Sequence, residues 1–138
     1  MPANQSKEFE VFRTLLFEKE LKQILKTYPE FNQNIQALSE SLKKNPEQGD
    51  HLGSGVYKVR VDIDGKPAGD RYGARVIHAI FSVVNEVFLM RVYDKSDTKD
   101  LSPAEVKQLR DLVGDLRKQF KKEKEQDQKK GSTKGRSR

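Results

Sequence analysis

The chain has no cysteine among its 138 residues, so disulfide staples, thiolate nucleophiles and thiolate metal sites are excluded. That absence fits a reducing compartment, and the expected location is the cytoplasm. No apolar run approaches the ~20 residues of a membrane span, so no membrane association is expected. The residues after Met1, from Pro2 to Glu10, are polar and mixed in charge and do not read as a signal peptide. Only two histidines are present, His51 and His78, and no second His or carboxylate stands at ligand spacing beside His78. Neither a metal site nor a cofactor is expected. Gly53-Ser54-Gly55 precedes a strand and lacks the strand–turn–helix setting of a phosphate-binding loop. Serine nucleophile motifs are missing as well. Asp62 and Asp64 lack calcium-loop spacing and read as solvated turn residues.

The net charge of +6 is unevenly spread. Residues from Lys121 to Arg138 hold eight basic and three acidic side chains, which leaves 19 basic and 18 acidic over the rest. The body is close to neutral, and an argument for a polyanionic partner must rest on where its cations stand. The length allows one domain with a substantial core, expected over residues 1–120, followed by a basic tail over 121–138. With no apolar side chain, that tail is expected to fray from helix into disorder.

Apolar periodicity orders the body. Phe9 to Phe12 reads as a short strand entering a helix near Leu15, with Leu16, Phe17, Leu21, Ile24, Leu25 and Tyr28 on one face. Pro29 interrupts, and Phe31, Ile35, Leu38 and Leu42 mark a second helix, so the two form a hairpin. Val56 to Val61 reads as a strand, followed by the turn-rich Asp64-Gly65-Lys66-Pro67-Ala68-Gly69-Asp70. Ala74 to Val84 and Val87 to Tyr93 read as a β-hairpin about Asn85-Glu86. Ser102-Pro103-Ala104-Glu105 opens a last helix with a capping box, and Val106, Leu109, Val113, Leu116 and Phe120 form its buried face. The fold class is α+β: a helical hairpin and a C-terminal helix on a small, mainly antiparallel sheet of about four strands.

Cations stand inside these strands. Alternation puts Lys58 and Arg60 on one face and Tyr57, Val59 and Val61 on the other. Ile77, Ala79, Phe81 and Val83 make an all-apolar core face, matched by Phe88, Met90 and Val92. The open face is then expected to carry Lys58, Arg60, His78, Arg91, Tyr93 and Lys95, a positive platform with one aromatic. Polar residues facing outward are also what any antiparallel sheet with one solvated face shows. Arg75 shares parity with Ile77 on the core side; a bulge near Gly73 or a position at the strand mouth are the two ways it reaches the platform.

The order of these motifs, from Tyr57-Lys58-Val59-Arg60-Val61 through Gly73-Ala74-Arg75-Val76-Ile77 to Val92-Tyr93-Asp94-Lys95-Ser96 and Asp100-Leu101-Ser102-Pro103-Ala104-Glu105, resembles the RelE/ParE toxin superfamily, in its HigB-like branch. The resemblance spans about Phe9 to Phe120. It implies a toxin of a type II toxin–antitoxin system that cuts mRNA in the ribosomal A site without metal, by attack of a ribose 2′-hydroxyl on the adjacent phosphate. It implies two partners, mRNA on the ribosome and a cognate antitoxin, with ribosomal RNA as a further contact for the basic tail. By position, Lys58 and Arg60 match the family's basic pair, Arg75 its next arginine and Lys95 its last basic residue, which makes these four the catalytic candidates. Tyr93, Arg91 and His78 are the RNA-binding candidates. Some members carry a Tyr or His after the sheet for proton transfer, whereas Ser96-Asp97-Thr98-Lys99-Asp100 offers neither. Tyr93, His78 or Lys58 would have to substitute. The alternatives are a ParE-like toxin acting on a protein target and an inactive relative that binds nucleic acid or antitoxin.

Overall fold

A computed structural model of the chain describes residues 8–69, 71–97 and 99–129. Strand β1 (Glu10–Arg13) leads into α1 (Leu15–Thr27) and α2 (Phe31–Lys44). Then come β2 (Asp50–Gly53), β3 (Val56–Val61), β4 (Ala74–Phe81), β5 (Glu86–Asp94) and α3 (Pro103–Lys129). The strands form one five-stranded sheet in the order β1-β5-β4-β3-β2. Only the β1–β5 pair is parallel. The α+β class, the helical hairpin and the C-terminal helix are as the periodicity predicts, with one more strand than the expected four.

The additional strand is β2. Asp50-His51-Leu52-Gly53 has no apolar alternation to betray it, and it is made by the turn that follows. Ser54 (φ 55°) and Gly55 (φ 75°) both lie in the left-handed region, the geometry of a two-residue hairpin turn whose twist matches the flanking strands. His51 therefore belongs to a strand, and its Nε2 accepts a hydrogen bond from the Gly55 amide.

Helices α1 and α2 bury Phe17, Leu21, Phe31, Ile35 and Leu42 against Val59, Val76, Ile80, Leu89 and Val92 on one sheet face. Thr14 caps α1 by accepting from the Phe17 amide, and its hydroxyl donates to the Leu89 carbonyl, which pins the helix start to β5. On the other face α3 packs Val113, Leu109, Leu116 and Phe120 over Val56, Ile77, Ala79, Phe81 and Met90. The capping box forms: the Ser102 amide donates to Glu105 Oε1 at 2.8 Å and the Glu105 amide to Ser102 Oγ at 3.1 Å. Both sheet faces are thus covered, and central β4 is buried at every position. The expectation of one fully open face fails for this reason. Nor does α3 stop at Phe120; it runs to Lys129 because Lys, Glu and Gln are strong helix formers that need no buried face. The expected disorder of the last nine residues lies outside the described residues.

His78 shows where strand parity misled. It pairs with Tyr57 across β3–β4 and is fully buried on the α1/α2 side, away from Lys58 and Arg60. Its Nε2 lies 2.8 Å from the Pro46 carbonyl, its Nδ1 has no hydrogen-bond partner among the described residues, and its ring stacks on Tyr57. Burial lowers its pKa. In the unfolded chain His78 takes up a proton near pH 6.5, whereas in the folded chain it resists until lower pH. Stability is therefore expected to fall as pH drops below about 6.5, before carboxylate protonation contributes. Thermal unfolding of the parent and of a His78→Phe variant between pH 7.5 and 5 checks this: the parent's melting temperature should fall more steeply. Parallel slopes would show that His78 is not responsible.

Candidate functional site

The register places the remaining candidates. Arg60 is opposite Arg75, and Arg75 is opposite Tyr93, so the three form a row across β3, β4 and β5. Arg75 joins the Lys58/Arg60 face by direct pairing, with no bulge near Gly73. The all-apolar parity of β4 lies on this same face: Ile77, Ala79 and Phe81 are roofed by α3, and the cations stand where that roof ends. The irregularity is in β5 instead. Ile77 pairs with Arg91 and His78 with Leu89, which leaves Met90 bulged. That extra residue puts Leu89 and Val92 on one face and Phe88, Met90 and Tyr93 on the other, so simple alternation along β5 fails.

Arg91 does not reach the cluster. Its guanidinium grips Glu20 of α1 with both Nε (3.0 Å to each oxygen) and Nη2 (2.8 Å), and Glu20 also accepts from the Val92 amide. A bidentate pair of this kind is among the stronger hydrogen-bonded contacts and clamps α1 to the edge of β5. Arg91 is a structural tie here, and the expectation that it faces the platform is corrected.

Lys58, Arg60, Arg75 and Lys95, with Asp50, line a cleft of about 410 Å³. The turn between β3 and β4 orients both arginines. Arg60 Nε donates to the Gly69 carbonyl at 2.9 Å, and Arg75 Nη1 donates to the Tyr72 carbonyl at 2.9 Å. Arg60 Nη2 is 2.7 Å from Asp62 Oδ1, but the ion pair lacks hydrogen-bond alignment, and this buried nitrogen has no acceptor among the described residues. Gly73 (φ 86°) is needed at the end of the turn: a Cβ there would be 3.0 Å from the Val61 carbonyl and 3.5 Å from the Arg60 guanidinium. The turn is clasped from behind by Lys66, whose ammonium binds Asp94 at 2.8 Å and the Ser96 hydroxyl.

Asp100 completes the site. Its Oδ1 accepts from the Tyr93 hydroxyl at 3.0 Å and lies 3.9 Å from Lys58 Nζ; its Oδ2 lies 3.6 Å from Lys95 Nζ. Burial pushes the Asp100 carboxyl up, but the Tyr93 hydroxyl and the charges of Lys58, Lys95 and Arg75 outweigh it and hold the pKa below the ordinary aspartate value. Burial first, and then Asp100, push the Tyr93 hydroxyl up to about 12. The tyrosine thus stays protonated at neutral pH. Sequence reasoning missed Asp100 and Asp62 as parts of the site. The signal for Asp100 was present, as the acidic end of the stretch that offers neither Tyr nor His.

The cleft therefore gathers Lys58, Arg60, Arg75 and Lys95, with the buried Tyr93 hydroxyl joined to it through Asp100, and leaves His78 and Arg91 elsewhere. Such a group of fixed cations is suited to an anion with several oxygens, and guanidinium matches phosphate in particular. A mainly antiparallel sheet between a helical hairpin and a C-terminal helix, with cations at one end, is the architecture of a RelE-like toxin. The family model described as the RelE toxin of the RelE/RelB toxin–antitoxin system matches residues 9–134, and the chain belongs to that family. It is a toxin of a toxin–antitoxin system, which implies an antitoxin partner. A comparison with curated proteins finds no match. No described helix is long and apolar enough to cross a membrane.

Proposed function

We propose that the protein is a ribosome-dependent mRNA endonuclease whose cleft binds the phosphate to be cut. The observation that carries this reading is the cross-strand row Arg60–Arg75–Tyr93 flanked by Lys58 and Lys95. In the reaction the ribose 2′-oxygen attacks the adjacent phosphorus, the bond to the 5′-oxygen breaks, and a cyclic phosphate results. Lys58 stands beside the attacking 2′-oxygen and stabilises the negative charge it gains as its proton passes to water. Arg60 and Arg75 stabilise the charge that builds on the phosphate oxygens, the term that preorganised donors serve best. Tyr93 donates its proton to the leaving 5′-oxygen, a role suited to a hydroxyl that stays protonated. Lys95 adds charge from the end of β5. No metal ion is needed, because the chain supplies the cations. Exposed Lys121, Lys122 and Lys124 on α3 extend the positive surface toward ribosomal RNA.

The test is mRNA cleavage mapping on translating ribosomes after induction of the protein. Discrete cuts that depend on translation are the expected result. Growth arrest without cuts would overturn the reading in favour of a ParE-like toxin acting on a protein. Neither arrest nor cuts would mark an inactive relative.

A further inference from the structure

The cation cleft is not electrostatically empty. Asp100 comes from the connection between β5 and α3 rather than from the sheet, and both its oxygens are committed to groups the proposed reaction uses. Oδ1 faces Lys58 and Tyr93, and Oδ2 faces Lys95. A carboxylate and a phosphodiester each present one negative charge over two terminal oxygens. The two lysine contacts, at 3.9 and 3.6 Å, are too long to be tight hydrogen bonds, and Asp100 retains 38% of its side-chain exposure. Exposed pairs of this sort hold weakly and are readily exchanged. The arginines are tied differently: Arg60 and Arg75 are oriented by backbone carbonyls of the turn, which stay in place whatever anion arrives. The cleft therefore has an arginine half held by backbone carbonyls, with Asp62 2.7 Å from Arg60, and a lysine–tyrosine half occupied by Asp100.

We propose that Asp100 is a built-in competitor that holds the place of the RNA phosphate, so that substrate binding must displace it from Lys58, Lys95 and Tyr93. The inference rests on the phosphate-binding reading of the cleft. Displacement has a chemical consequence as well as an energetic one. While Asp100 accepts the Tyr93 hydroxyl, that proton is not aimed at a leaving oxygen; once the phosphate has taken over the lysines, the hydroxyl is released toward it. The device lowers affinity for stray RNA and keeps the proton donor engaged until a phosphate is seated.

Asp100→Asn tests this, because the amide keeps an acceptor for Tyr93 and removes the charge. Two probes are used with the full chain: inorganic phosphate, followed by the NMR shifts of the cleft residues, and an RNA hexamer made with 2′-deoxy sugars so that it cannot be cut. Two exposed ion pairs, each worth a factor of about two to five, predict binding about 4- to 25-fold tighter in the variant for both probes. A lower KM on translating ribosomes should accompany it. Thermal unfolding and a second variant, Asp100→Ser, guard against a folding artefact. Unchanged or weaker phosphate binding in both folded variants would overturn the proposal and make Asp100 a supporting anion. Absence of mRNA cuts by the parent would overturn the nuclease reading alone, since the phosphate titration reports on Asp100 independently of cleavage.

Discussion

Methionine in place of Arg75 is expected to cut mRNA cleavage by about 10²- to 10³-fold, and methionine in place of Arg60 by a similar factor, with the fold retained. The size follows from losing one preorganised donor to a charge that develops only in the transition state. Methionine is chosen because Arg75 is 6% exposed, and an apolar chain of similar length fills most of its space. Lysine should rescue little at either position, because it cannot reproduce two parallel N–H contacts to one phosphate. Single-turnover cleavage on programmed ribosomes, beside thermal unfolding of each variant, is the measurement. Near-parent cleavage by both methionine variants would remove the arginine row from the chemistry.

Loss of the Phe81 ring is the largest structural effect expected. Phe81 is fully buried under α3, edge-on to Phe88 at 5.3 Å and to Phe120 at 5.1 Å, with Arg117 over its face. Phe81→Ala should cost about 3–5 kcal/mol, since these contacts cannot all collapse into the space left. Small proteins have roughly 5–15 kcal/mol in total, so the variant should be close to unfolding at 37 °C. Urea unfolding measures the loss. A cost below about 1 kcal/mol would mean that α3 is not firmly docked. The variant also controls for the arginine substitutions: it should lose activity by unfolding, whereas they should lose it while folded.

The two cases divide along what the sequence makes legible. Helix positions followed from apolar periodicity, and the Ser102–Glu105 box was readable because its atoms are neighbours along the chain. The cations themselves stood out because charge inside a strand pattern is rare. Their common face was harder. Parity tells which residues of one strand share a side, but not which side of its neighbour they join; that needs register. The Arg60↔Arg75 pairing supplies it, and it shows that an all-apolar face and a cationic cleft are two halves of one surface. The Met90 bulge changes parity within β5 without any glycine or proline to announce it. His78 was placed with the cations because nothing local distinguishes a strand histidine facing water from one under a helix. Asp100 was passed over for a related reason: a carboxylate in a connecting segment is unremarkable until three groups from two strands and the segment's start converge on it. Strand β2 rests on two left-handed residues, Ser54 and Gly55, of which serine gives no such warning.

The length of α3 bears on reach. At about 1.5 Å per residue, the helix carries Lys129 roughly 13 Å past Phe120, the last side chain of its packed face. A flexible linker would let the following basic residues sample a sphere around the body. A stiff rod instead fixes the bearing of the lysines it carries itself, Lys121, Lys122 and Lys124. Each residue added to or removed from the rod turns that bearing by about 100° as well as shifting it along the axis. The exposed lysines on α3 are thus aimed like a mast on a hull, and rotation as much as distance decides what they meet.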